Sequence, residues 1–61
     1  MAFVVAKGKN GCFLSVRTSD IMAVWKDDDG NAVIEFYDPD RACIETSEKF
    51  ALVVGRIRNA G

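Results

Sequence analysis

Four turn signals at nearly even spacing limit this chain to short strands. Gly8 to Gly11 (GKNG), Thr18 to Asp20, Asp27 to Asn31 (DDDGN) and Asp38 to Asp40 (DPD) divide it into pieces of about six to eight residues, the spacing of short antiparallel strands. We expect strands near residues 2–7, 11–17, 21–27, 32–37 and 41–46. With 61 residues the chain makes one small domain, 1–61, near the size at which a body buries only about 60% of its unfolded surface.

The third and fourth pieces form the best-defined element. Asp29-Gly30 supplies the positive φ of a two-residue type I′ turn, which sets Trp25 opposite Ile34 and Ala23 opposite Phe36. One face of that hairpin is then apolar: Ile21, Ala23, Trp25, Ala32, Ile34 and Phe36. The other carries Met22, Val24, Lys26, Val33, Glu35 and Tyr37. A slip of one residue would exchange the two faces.

The stretch TSEKFALVVGRIRNAG reads as a terminal helix with Thr46 or Ser47 as N-cap and Glu48 in its first turn. Phe50, Val53, Val54 and Ile57 follow at helical spacing and make one buried stripe. Arg56 and Arg58 lie toward the end, where cations favour the helix dipole. A sixth strand over ALVV competes with this reading, because two valines are β-branched and Gly55 costs about 1 kcal/mol relative to alanine. The expected class is α+β: a strongly bent antiparallel sheet of about five strands with one C-terminal helix on its apolar face. Leu52 falls opposite the helical stripe, and Phe13, Met22, Val24 and Tyr37 fall on outer strand faces. An exposed set of that size points to an interface, with homodimerisation as the leading explanation.

The order of Asn10-Gly11, Phe13, Val16, Ile21, Val33-Ile34, Ile44-Glu45-Thr46-Ser47 and Ile57 resembles that of small FlbD-like proteins, the flagellar and swarming-motility family. That resemblance spans nearly the whole chain and implies the same succession of strands, hairpin and short helix. It rests on hydrophobic and turn positions; Trp25, the DDDGN loop and DPDR lie outside it, so it assigns no functional residue. The chain is also similar in length and element order to the carbon storage regulator, which implies a dimeric RNA-binding protein. The basic residues that flank the edge strands of that family have no clear counterparts here.

Composition narrows the chemistry. The chain has no histidine, no convincing nucleophile-and-base pair, and in GKNG only part of a phosphate-binding loop, so no enzyme is expected. Placing Gly30 at the sixth position of an EF-hand loop puts Trp25 and Phe36 where two ligands belong, so no metal is expected. No other cofactor is implied. The DDD and DPD acids flank one strand, about 20 Å apart, and cannot cluster in one molecule. Cys12 and Cys43 read as buried free thiols rather than a bridge. No apolar run reaches the roughly 20 residues of a membrane span, and MAFVVAK lacks the basic region and length of a signal peptide; the chain is expected in the cytoplasm without membrane contact.

The net charge is −1, yet all nine acids fall in residues 20–48, against only Lys26 and Arg41, while both ends are basic. That favours a protein partner with a basic surface, or self-association between opposite patches, over nucleic acid. The function that follows is a small non-enzymatic interaction module, a regulator or inhibitor that occupies a partner's surface. Its candidate contact residues are Asp27, Asp28, Asp29, Tyr37, Asp38, Asp40, Met22 and Val24, with Trp25 expected in the core. Two alternatives are a phage or mobile-element inhibitor of a host defence complex, using an acidic nucleic-acid-mimicking face, and a dimeric RNA-binding regulator.

Overall fold

A computed structural model describes residues 2–60. Five antiparallel strands precede one helix: β1 (Phe3–Lys7), β2 (Phe13–Arg17), β3 (Ile21–Lys26), β4 (Asn31–Phe36), β5 (Ile44–Lys49) and α1 (Phe50–Ala60), with a 3₁₀ turn at Thr18–Asp20 before β3. The fold is α+β. Strands β1 and β2 form one sheet and β3-β4-β5 a second, both antiparallel. A bridge between Gly8 and Thr46, with the Lys9 N–H donating to the Glu45 carbonyl at 3.0 Å, joins β1 to the free edge of β5.

Both hairpins turn in the same way. The Asp27 N–H donates to the Asn31 carbonyl at 2.9 Å, and the Gly30 N–H to the Asp27 carbonyl at 3.0 Å. In the first hairpin the Gly8 N–H meets the Cys12 carbonyl at 2.8 Å and the Gly11 N–H the Gly8 carbonyl at 2.9 Å. Gly11 and Gly30 have φ of 85° and 83°, and no other residue type has positive φ among the described residues. This is a three-residue loop, a type I turn closed by a left-handed glycine, in place of the expected two-residue type I′ turn.

The extra loop residue shifts the register by one. Val24 faces Ile34, Trp25 faces Val33 and Lys26 faces Ala32. Val24 therefore packs against the core and Trp25 stands outside, 44% exposed, the reverse of the expected faces. Toward the start of β3 a bulge at Met22 resets the pairing, so Ile21 faces Phe36 and packs inward, while Met22 and Ala23 are both exposed.

The helix also begins later than expected. Thr46, Ser47 and Glu48 belong to β5, and no acid lies in the first helical turn. Strand pairing outweighs the capping signal: Ile44, Glu45 and Lys49 pair with β4, and Thr46 bridges to Gly8. The stripe itself forms as expected, and ALVV is helical rather than a sixth strand. Val53 is buried, Phe50, Val54 and Ile57 are half-buried, and Leu52 is exposed. Val53 joins Val4, Ala6 and Val16 from one sheet and Ala32, Ile34 and Phe36 from the other in a single core. Both sheets thus turn their inner faces to one centre, and on the outer side of the second sheet Val33, opposite Trp25, is also buried.

Candidate interaction surface

The acidic loop does two jobs. Asp27 Oδ1 accepts the N–H groups of Asp29 and Asn31, each at 2.9 Å, which fastens the turn. Its Oδ2 is shielded from solvent without a hydrogen bond and lies 3.7 Å from Lys9 Nζ. The Asn31 N–H, with that of Asp29 and the Lys9 charge, holds the Asp27 carboxyl below its ordinary pKa despite partial desolvation. Asp27 is thus committed to its own loop, whereas Asp28 and Asp29 are exposed at the tip. Lys9 also lies 3.7 Å from Glu45, so its ammonium spans from the end of β3 to β5 across β4.

At the other end of the β3–β4 hairpin, Asp38 Oδ1 accepts the Asp40 N–H at 3.0 Å, and the Arg41 N–H donates to the Asp38 carbonyl at 3.1 Å. Tyr37 projects from this turn with 67% of its surface exposed. The Arg41 guanidinium lies 3.7 Å from the centre of the Phe36 ring and 3.6 Å from Asp20. A shallow cleft of about 330 Å³ brings Met22, Glu35, Tyr37, Asp38 and Arg41 together. Of the expected contact residues, the structure groups Met22, Tyr37 and Asp38 here and places Asp40 in the same turn. Asp28 and Asp29 sit at the opposite end of the hairpin, and Val24 faces the core.

The register adds a group to this outer face. Trp25 Nε1 donates to Glu35 Oε1 on the neighbouring strand, so the indole lies along the sheet with its polar edge satisfied and its ring exposed. Met22, Trp25 and Tyr37 are thereby the large apolar groups of an acidic face. Among the described residues, ion pairs engage Asp20, Asp27, Glu45 and Glu48, whereas the carboxylates of Asp28, Asp29, Glu35, Asp38 and Asp40 have no cation within ion-pair distance; Lys49 donates to the backbone carbonyl of Asp29. No group of three or more His, Cys, Asp or Glu side chains among those residues is arranged to hold a metal ion.

No family model, curated protein or solved structure matches this chain.

Sequence reasoning missed the pair Trp25 and Glu35 because the hairpin was assigned the wrong loop length. It also missed Phe3 and Val5, which join the expected Phe13 on a second exposed face, that of the first sheet. Phe3 (51% exposed), Val5 and Phe13 (70%) stand there beside a groove of about 560 Å³ whose other lining includes Glu48, Arg56 and the end of α1. The period-two pattern of FVVAK was the available signal, since it sends Phe3 and Val5 to the side opposite Val4 and Ala6.

At the rim of this groove Glu48 and Arg56 close the free edge of β1. Arg56 Nη1 donates to Glu48 Oε2 at 2.6 Å and to the Val5 carbonyl at 3.2 Å, and the Lys7 N–H donates to Glu48 Oε2 at 3.1 Å. Arg56 above all, with the Lys7 N–H, holds the Glu48 carboxyl below its ordinary pKa, and Glu48 in turn raises that of Arg56. Two side chains therefore occupy backbone positions that a neighbouring strand would otherwise take.

Proposed function

We propose that this chain is a small non-enzymatic protein-interaction module, a regulator or inhibitor that works by covering a basic surface on a protein partner. The observation that carries this reading is the outer face of β3–β4, where Met22, Trp25 and Tyr37 stand exposed among Glu35, Asp38 and Asp40, carboxylates without cationic partners. Aromatic anchors supply most of the energy in such contacts, and surrounding charge supplies steering and selectivity. The candidate contact set is accordingly Met22, Trp25, Glu35, Tyr37, Asp38 and Asp40, with Asp28 and Asp29 adding charge from the tip.

Cys12 and Cys43 are free, and both are exposed rather than buried as expected; their free state supports a reducing, cytoplasmic setting. Among the described residues no helix is long and apolar enough to cross a membrane. Kinship with FlbD-like proteins is part of the proposal, supported by the matching order of strands, hairpin and helix.

Trp25 is the chain's single tryptophan, so its fluorescence reports on this face directly. A lysine-rich amphipathic peptide is the probe. Its binding is expected to shift Trp25 emission, to weaken as salt rises, and to be lost in the double variant Glu35→Lys, Asp38→Lys. Capture from a host extract by the wild type, but not by that variant, then isolates the natural partner. Peptide binding that ignores both salt and the charge reversals sinks the proposal.

A further inference from the structure

We propose that copies of this chain associate head to tail, with the basic, apolar outer face of β1–β2 on one copy resting on the acidic, apolar outer face of β3–β4 on the next. The strand register builds the first of these faces: Phe3 stands opposite Arg17, Val5 opposite Ser15, and Lys7 opposite Phe13. Phe3, Val5 and Phe13 are each more than half exposed. Lys7 and Arg17 have no ion-pair partner among the described residues, and the Lys7 ammonium lies 5.9 Å from the centre of the Phe13 ring. Exposed apolar groups therefore alternate with uncompensated cations.

The second face presents the opposite charge around the same kind of apolar group. Met22, Trp25 and Tyr37 accompany Glu35 and Asp38. Of the cations of that sheet and its loops, Lys9 is paired with Asp27 and Glu45 and Arg41 with Asp20, Lys49 donates to the Asp29 carbonyl at the hairpin tip, and Lys26 lies over the Phe50 ring of α1.

Charge complementarity points to a second copy as the occupant. The inner sides of both sheets share one core, so their outer sides look away from it and cannot meet within one molecule. A symmetric pair joining like faces sets Lys7 and Arg17 against their own copies, or Glu35 and Asp38 against theirs, and like charges in contact cost several kcal/mol. Unlike faces remove that cost. The net charge of −1 leaves little long-range repulsion between copies. A contact between unlike faces leaves one of each open at the ends of every assembly, so it grows into a ring or a filament. This inference rests on the acidic face being a contact surface and names one occupant for it.

Two variants, each blocked at one face, test the proposal by sedimentation velocity. Wild type is expected to form species larger than a dimer as concentration rises, and to dissociate in high salt. Phe13→Asp blocks the basic face and Glu35→Lys the acidic one; each alone is expected to be monomeric. Mixed in equal amounts they are expected to stop at a heterodimer, because each contributes one intact face. The double variant Lys7→Glu, Arg17→Glu, which alters only exposed side chains, replaces Phe13→Asp if that variant lacks a cooperative melt. A monomeric wild type at about 1 mM, a thousandfold above a micromolar dissociation constant, overturns the proposal. So does self-association of either variant alone, or a mixture that stays monomeric. Phe13→Asp retains the acidic face and is expected to bind the lysine-rich peptide like wild type. Peptide binding without self-association therefore refutes head-to-tail assembly and leaves the proposed function standing.

Discussion

Thr46 Oγ1 donates a 2.7 Å hydrogen bond to the Ala32 carbonyl from a fully buried side chain, at the place where β5 is irregular against β4. The same hydroxyl oxygen accepts the Glu48 N–H at 3.3 Å. One side chain thus satisfies backbone groups that the interrupted ladder leaves without a regular partner. Thr46→Val keeps the shape and removes the hydroxyl, and should cost about 1–3 kcal/mol. Thermal unfolding is expected to show a midpoint lower by roughly 4–8 °C per kcal/mol for a domain of this size. Thr46→Ser keeps the hydroxyl and should avoid most of that loss.

Val24 and Trp25 are neighbours with opposite environments. Val24→Asp places a charge against the core and is expected to abolish cooperative unfolding, because an unpaired buried charge costs several kcal/mol. Trp25→Asp should change stability by less than about 1 kcal/mol, in the range of surface substitutions. Denaturant titrations of the two variants distinguish the observed register from one shifted by a residue.

The Glu48 and Arg56 pair gives the fold an acid limb. Glu48 is held below its ordinary pKa, so its contribution is present above the unfolded-state pKa and is lost as pH falls through the folded-state value. Asp27, also lowered, adds to the same limb. Melting curves between neutral and acidic pH should show the decline in wild type and a shallower one in Arg56→Gln. At neutral pH that variant should lose under about 1 kcal/mol, because both partners partly face water.

Two glycines should respond in opposite directions to alanine. Gly30 has a φ of 83°, where an L side chain is strained, and Gly30→Ala should cost about 1–3 kcal/mol. Gly55 lies within α1, and a Cβ there meets no atom within 4 Å. Gly55→Ala should add about 0.5–1 kcal/mol through helix propensity. Calorimetry on the two single variants checks both signs.

The terminal stripe and the five strands were legible because turn residues and apolar periodicity agree over most of the chain. Asp29-Gly30 was less informative, since a left-handed glycine closes either a two-residue or a three-residue loop. The choice rests on the Asp27 carboxylate, which captures the Asn31 N–H and adds a residue to the loop. Local signals also misplaced Thr46 to Glu48. A threonine, a serine and a glutamate favour a helix start, yet here pairing with β4 and Gly8 holds them extended. The pairing of Trp25 with Glu35 was hidden because it depends on that extra loop residue, whereas Phe13 was legible as an outer residue and Phe3 and Val5 are marked by the alternation in FVVAK.

The chain between Asp27 and Asn31 acts as a parity switch for the two strands it joins. Deleting one residue there turns the indole inward and Val24 toward water, whereas inserting a pair preserves which side each residue takes. Changes of two residues in the length of this loop are therefore expected to be tolerated better than changes of one, whatever the side chains at the positions affected.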